Sequence, residues 1–157
     1  MTKNIDLLIK RYLEIAPFNQ VSSETLVLIE KALNIVLPND FKEITKYYSG
    51  NILGTIYFFN LELFGEFNIV EQTIFYRHKI KLPFRYLPLY EESDGFIIME
   101  TQDDPRKPSP VIWCAVEDVY NLCEDKPLIY NPTIFPNFTD FFEYLLDQEE
   151  QERRATS

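Results

Sequence analysis

The stretch YLPLYEESDGFIIMETQDDPRKPSPVIWCAV, residues 86–116, decides the fold. Three runs rich in β-branched and aromatic residues stand out: YLPLY (86–90), FIIMET (96–101) and PVIWCAV (110–116). Such runs read as strands when turn residues bound them. Asp94-Gly95 is a turn dipeptide between the first two, and QDDPRKPSP is a polar loop broken by prolines. FIIM and VIWCAV are near-continuous apolar runs, the mark of strands covered on both faces. Trp113 lies in the middle of its run and is expected to be buried, with Cys114 a small core residue beside it.

The periodicity on either side is helical. Ile5, Leu8, Ile9, Tyr12, Leu13 and Ala16 fall on one helix face, closed by Pro17. A second helix, capped by Ser22 or Ser23, buries Leu26, Ile29 and Leu33. In LPNDFKEITKYYSG (37–50), Pro38 suits a helix start, and Asn39 and Asp40 complement the N-terminus. Phe41, Ile44, Thr45 and Tyr48 then share a face, and Gly50 supplies a left-handed stop. TIYFF (55–59) reads as a strand that LELF (61–64) extends. NIVEQTIFYRH (68–78) reads as a short helix capped by Asn68, with Ile69, Thr73 and Tyr76 on one side, although its Thr, Ile, Phe and Tyr content would also suit a strand. VYNL (119–122) and LIY (128–130) are weak strand or irregular segments. Asn137 caps a closing helix with Phe138, Phe141, Phe142 and Leu145 on its inner face. There is no repeat, linker or low-complexity block. The chain reads as a single α+β domain over residues 1–150, with a polar tail at 151–157 and fraying from about residue 150.

At 157 residues the chain is long enough to bury an apolar core without disulfide or metal staples. Its 46% hydrophobic and 25% charged residues exclude wholesale disorder. Its 4 glycines are scattered, which leaves no phosphate-cradling loop. The net charge of −10 is lopsided. Residues 1–80 hold 8 Lys/Arg against 9 Asp/Glu, whereas residues 81–157 hold 7 against 16. A field of that sign repels phosphate and attracts cationic partners, so nucleic acid is not expected as a direct ligand. No apolar run approaches the length of a membrane span, and the N-terminus does not read as a signal peptide. Cys114 and Cys123 are read as reduced thiols of a cytoplasmic protein.

His78, the single histidine, excludes a two-His metal site and any Ser-His-Asp triad built without it. No cofactor is expected, no metal-ligand spacing is present, and no catalytic residue is assigned. Carboxylate doublets are plentiful: Glu91, Glu92 and Asp94; Asp103 and Asp104; Glu117 and Asp118; Glu124 and Asp125. Neighbours on an extended strand point to opposite faces, so such doublets do not converge by themselves into an acid–base pair. The loops at 91–94, 103–104 and 117–118 combine acidity with expected exposure and form a candidate partner-binding surface. Some of the 13 Phe and 10 Tyr, on strand 55–59 and in FRYLPLY, must face outward by alternation. Rigid aromatics among acidic groups suit a protein-binding face, and 55–59 is the second candidate.

The order of the pieces resembles the SUKH superfamily, the group of the fungal cell-wall assembly regulator and of many bacterial immunity proteins. The matching pieces are Leu37-Pro38 with Asp40-Phe41, the Ser49-Gly50 break, the Leu87-Pro88 strand, Asp94-Gly95, the Trp113 strand, and the closing segment with Phe138, Phe141 and Phe142. They span roughly residues 20–147. The resemblance implies one α+β domain with a central, largely antiparallel sheet, flanked by N-terminal helices and a C-terminal helix. It also implies a cytoplasmic, non-enzymatic antidote that occludes the toxic domain of a polymorphic secreted toxin. A basic nuclease domain would suit the acidic half of this chain. Contact with membrane or nucleic acid is not expected, and the sequence leaves the oligomeric state open between a monomer and a weak dimer. The alternatives are a regulatory adaptor like the fungal member, or a carboxylate-dependent hydrolase binding a metal.

Overall fold

The computed structural model describes residues 4–16, 20–63 and 65–156. The first helix, α1 (Ile5–Ile15), is capped by Asn4, whose side chain accepts from the Leu7 N–H. It ends at Ala16; the expected stop, Pro17, lies outside the described residues. In α2 (Ser23–Leu33) the cap is Ser22, whose Oγ accepts from Thr25 N–H at 3.1 Å. The third helix, α3 (Asn39–Thr45), is shorter than its apolar pattern suggests. Tyr48 is buried beyond its end, and Gly50, at φ 102°, is no helix stop. A Cβ at Gly50 would stand 2.8 Å from the Phe59 carbonyl oxygen, so glycine is needed where this loop crosses the backbone of the next strand pair.

That pair is a hairpin, β1 (Asn51–Leu53) and β2 (Ile56–Phe58), where the sequence reading expected one strand. Gly54 and Thr55 form its two-residue turn with both φ angles positive, 59° and 68°. These are the mirror-image turn dihedrals that match the strands' twist. The expected extension over 61–64 is not a strand at residues 61–63. Leu61 is fully buried in a loop and residues 62–63 turn; Phe64 lies outside the described residues. The helix α4 (Ile69–Lys79) forms despite its β-branched residues, with Asn68 Oδ1 capping Glu71 N–H at 3.0 Å.

The main sheet is antiparallel, in the order β3 (Tyr86–Glu91), β4 (Gly95–Glu100), β5 (Val111–Ala115) and β6 (Thr133–Phe135). After β5 a 3₁₀ turn runs into a short helix, α5 (Val119–Cys123), so the VYNL segment is helical. The 128–130 segment is irregular and leads into β6. The last helix, α6 (Phe138–Thr156), continues through the segment expected to fray. One face of the sheet packs on α6 through Trp113–Tyr144 and Phe135–Phe141 edge contacts; the other packs on α4 through Tyr76–Phe96. The sheet is therefore covered on both sides at its centre. Phe41, Tyr48, Phe58, Phe138 and Phe142 form an aromatic core beneath α6, with Phe41 and Phe138 4.8 Å apart edge to face. Leu37 is fully buried next to it.

A bulge at Leu89 interrupts the β3–β4 register between Pro88 and Tyr90. Leu89 C=O, spared from the ladder, accepts from Phe59 N–H at 2.8 Å and so attaches the hairpin to the sheet. The extra residue also exchanges the faces of Tyr90 and Glu91 at the end of the strand. Tyr90 pairs with Ile97, and Glu91 with Phe96 on the α4 side.

Candidate partner-binding surface

Two register facts divide the acidic loops. Gly95 pairs with Ala115, so the 91–94 turn and the end of β5 share one end of the sheet. Asp103 and Asp104 come after Glu100 and lie at the other end. The structure thus brings Glu91, Glu92, Asp94 and Glu117 together and leaves 103–104 apart.

The 103–104 pair is also neutralised in place. Asp104 takes a two-pronged bond from Arg106 (3.1 and 2.9 Å), and Asp103 accepts from Lys107 at 2.9 Å. These partners hold both carboxyls below the ordinary carboxylate range. Asp118, expected in an exposed loop, is fully buried. Its oxygens accept from Ile129 N–H (3.0 Å), Tyr130 N–H (2.9 Å) and Asn121 Nδ2 (3.1 Å). Burial opposes its ionisation, but these three donors outweigh that and hold its carboxyl low. Asp118 therefore shapes the 124–130 loop from within.

At the shared end the 91–94 turn makes an acidic ridge. Glu92 N–H donates to Gly95 C=O at 2.9 Å, and Val116 N–H to Asp94 C=O at 3.2 Å, which fixes the ridge against β5. Tyr76 Oη donates to Glu91 Oε2; burial first and this bond second push the Tyr76 phenol well above its ordinary value. Gly95 lies in β4 and lacks a positive φ, so its place is explained by space rather than by turn geometry. A Cβ there would stand 3.0 Å from Glu92 Oε1 and 3.1 Å from Trp113 Nε1. Trp113 is only half-buried, correcting the expectation of a core residue. Its position is on a cleft wall facing α6, and such a wall needs an open side.

Three clefts surround the ridge. One, of ≈ 370 Å³, lies between Glu92, Asp94, Trp113 and Tyr144. A second, of ≈ 370 Å³, lies between the hairpin and β3, walled by Tyr57, Phe67 and Tyr90 with Glu66 and Glu91. The third, of ≈ 170 Å³, is lined by Tyr76, Ile80, Glu91, Val116 and Tyr120, with Lys79 the one basic residue in the three linings. Alternation along β2, with Ile56 and Phe58 buried and Tyr57 out, was readable in the sequence. Phe67 was not. Its φ is 54°, a left-handed conformation that costs a side-chain-bearing residue about 1–2 kcal/mol. Asn60 N–H donates to its carbonyl at 3.1 Å and Ile69 N–H to Asn60 C=O at 2.8 Å, which fixes that backbone. The ring so placed is 67% exposed.

His78 is exposed on α4. Among the described residues no group of three or more His, Cys, Asp and Glu is placed to hold a metal ion. Burial pushes the Cys114 thiol up to about 11, the wrong direction for a nucleophile. No helix among the described residues is long and apolar enough to cross a membrane. The ridge thus carries several carboxylates at one end of the sheet, beside open aromatic walls and on short loops held by backbone hydrogen bonds. A family model described as SUKH_5, SMI1-KNR4 cell-wall, matches residues 1–125, a span that includes the ridge and the second cleft. No curated protein matches the chain.

Proposed function

Because the chain belongs to the SMI1-KNR4 family of the SUKH superfamily, whose members are generally non-enzymatic immunity or regulatory proteins, we propose that it is an immunity protein. Its partner is the basic, nuclease-type toxic domain of a polymorphic secreted toxin, which it blocks by occlusion in the cytoplasm, with no chemistry and no cofactor of its own. The observation that supports this reading best is the ridge of Glu91, Glu92, Asp94 and Glu117 flanked by open aromatic clefts. A nuclease grips phosphate with Lys and Arg. An acidic protein that covers those cations withholds them from the substrate and gains electrostatic steering during encounter. The aromatics supply the buried anchors on which affinity depends.

The test is co-expression with the C-terminal domain of the toxin encoded beside its gene. Cells carrying both should survive, and the two proteins should co-purify. Death of the cells, together with no complex at micromolar concentration, would overturn the assignment and favour a regulatory adaptor.

A further inference from the structure

We propose that the cleft between the hairpin and β3 is a cradle for one arginine side chain of a protein partner. This rests on the partner-binding reading above and names the chemistry at one point of it. Tyr57 and Phe67 are 62% and 67% exposed, and Tyr90 closes the cleft. Glu66 and Glu91 stand among these rings, and no Lys or Arg lines the cleft. Glu91 gives Oε2 to Tyr76; its Oε1 has no partner among the described residues.

The combination selects its occupant. A purely apolar plug would bury the carboxylates without a partner, which is costly. An ammonium is a compact, strongly hydrated point charge. A guanidinium is flat, weakly hydrated, stacks on aromatic faces and donates two parallel bonds to a carboxylate. The same molecule already stacks guanidinium groups on rings internally. Arg85 lies 4.5 Å from the Tyr86 ring centre while its Nε donates to Glu100 at 3.1 Å, which joins ring and carboxylate on one cation; Arg77 lies 3.9 Å over Phe84 and donates to backbone carbonyls. Tyr57, Phe67, Glu66 and Glu91 bring rings and carboxylates together at this cleft in the combination that Arg85 meets at Tyr86 and Glu100.

The test is an NMR titration of the whole protein with acetyl-Gly-Arg-Gly-Arg-Gly-amide, and with the same peptide carrying lysine or citrulline. Backbone shifts should cluster at residues 57, 67 and 90, and the arginine peptide should bind more tightly than the lysine one at equal charge. Tyr57→Ala and Phe67→Ala leave net charge and core intact. Each should weaken arginine-peptide binding roughly three- to five-fold, the effect of one exposed cation–π contact. Circular dichroism checks the fold. Equal affinity for the arginine and lysine peptides, unmoved by both substitutions, would show attraction by charge alone and overturn the cradle. Survival in the co-expression assay with that same result would discard the cradle and keep the immunity reading. Localised arginine binding without survival would do the reverse.

Discussion

Phe67 combines a left-handed backbone with an uncovered ring, so little that it contributes to folding offsets its conformation. Glycine adopts that φ freely but loses more chain entropy on folding, by about 0.5–1 kcal/mol. Phe67→Gly should therefore be neutral to about 1 kcal/mol more stable in urea denaturation. A clear loss of stability would mean that the ring packs in the folded state. Asp118 is the opposite case, a carboxylate whose whole environment is internal. Its folded pKa lies below the unfolded value, so its contribution is complete above about pH 4 and is lost as pH falls through the folded value. Asp118→Asn should be less stable than wild type at pH 7, with the gap closing as pH drops below about 4. Parallel stability curves for the two proteins would show that the carboxylate's charge is irrelevant to the loop. Neither role is written in the sequence: ED (117–118) is one of several acidic doublets, and only the return of the 128–130 backbone separates buried Asp118 from exposed Glu117.

Elements were legible wherever a local pattern sufficed. The caps Ser22, Asn68 and Asn137 accept the N–H groups expected of them. The three strands of 86–116 lie where their composition puts them, as do the apolar stripes of α1, α2 and α6. What was missed depends on partners distant in sequence. β1 and β6 are three residues long, too short for a pattern to declare itself, and they exist because β2 and β5 present a ladder. The Leu89 bulge, which sends Glu91 to the α4 side, has no residue signature beyond the neighbouring Pro88. Asp40 was read as serving its own helix; its Oδ2 also accepts Thr139 N–H (2.9 Å) and Thr139 Oγ1 (2.8 Å), ninety-nine residues on. The hairpin tip is fixed the same way. Gly54 N–H donates to Glu149 at 3.1 Å, and a Cβ at Gly54 would stand 2.6 Å from the Leu145 carbonyl oxygen. Gly54→Ala should cost more than about 2 kcal/mol, from φ strain together with overpacking against backbone. A denaturation midpoint within error of wild type would show that α6 yields at this contact.

For the molecule as a whole, charge is arranged more than it is abundant. Asp103 and Asp104 carry their own counterions, whereas the ridge at the opposite end of the sheet lies among residues with a single lysine. Reversing Glu91 and Glu92 to lysine should therefore slow association with the toxin domain and flatten its dependence on salt. Reversing Asp103 and Asp104 should do much less. Stopped-flow rates over a range of ionic strength separate the two, and equal effects would show that only net charge matters. The long reach of α6 has a further consequence, for the order in which the native state is assembled. Arg11 of α1 bonds Glu150 at 2.6 Å across 139 residues, Asp40 waits for Thr139, and Gly54 for Glu149. Closing loops of that length early is entropically unfavourable, so topologies dominated by such contacts fold slowly. Until α6 docks, Phe41, Tyr48 and Phe58 have no cover from Phe138 and Phe142. α6 is synthesised after every element it covers, so the rings of Phe41, Tyr48 and Phe58 gain their cover only once that helix has emerged and docked.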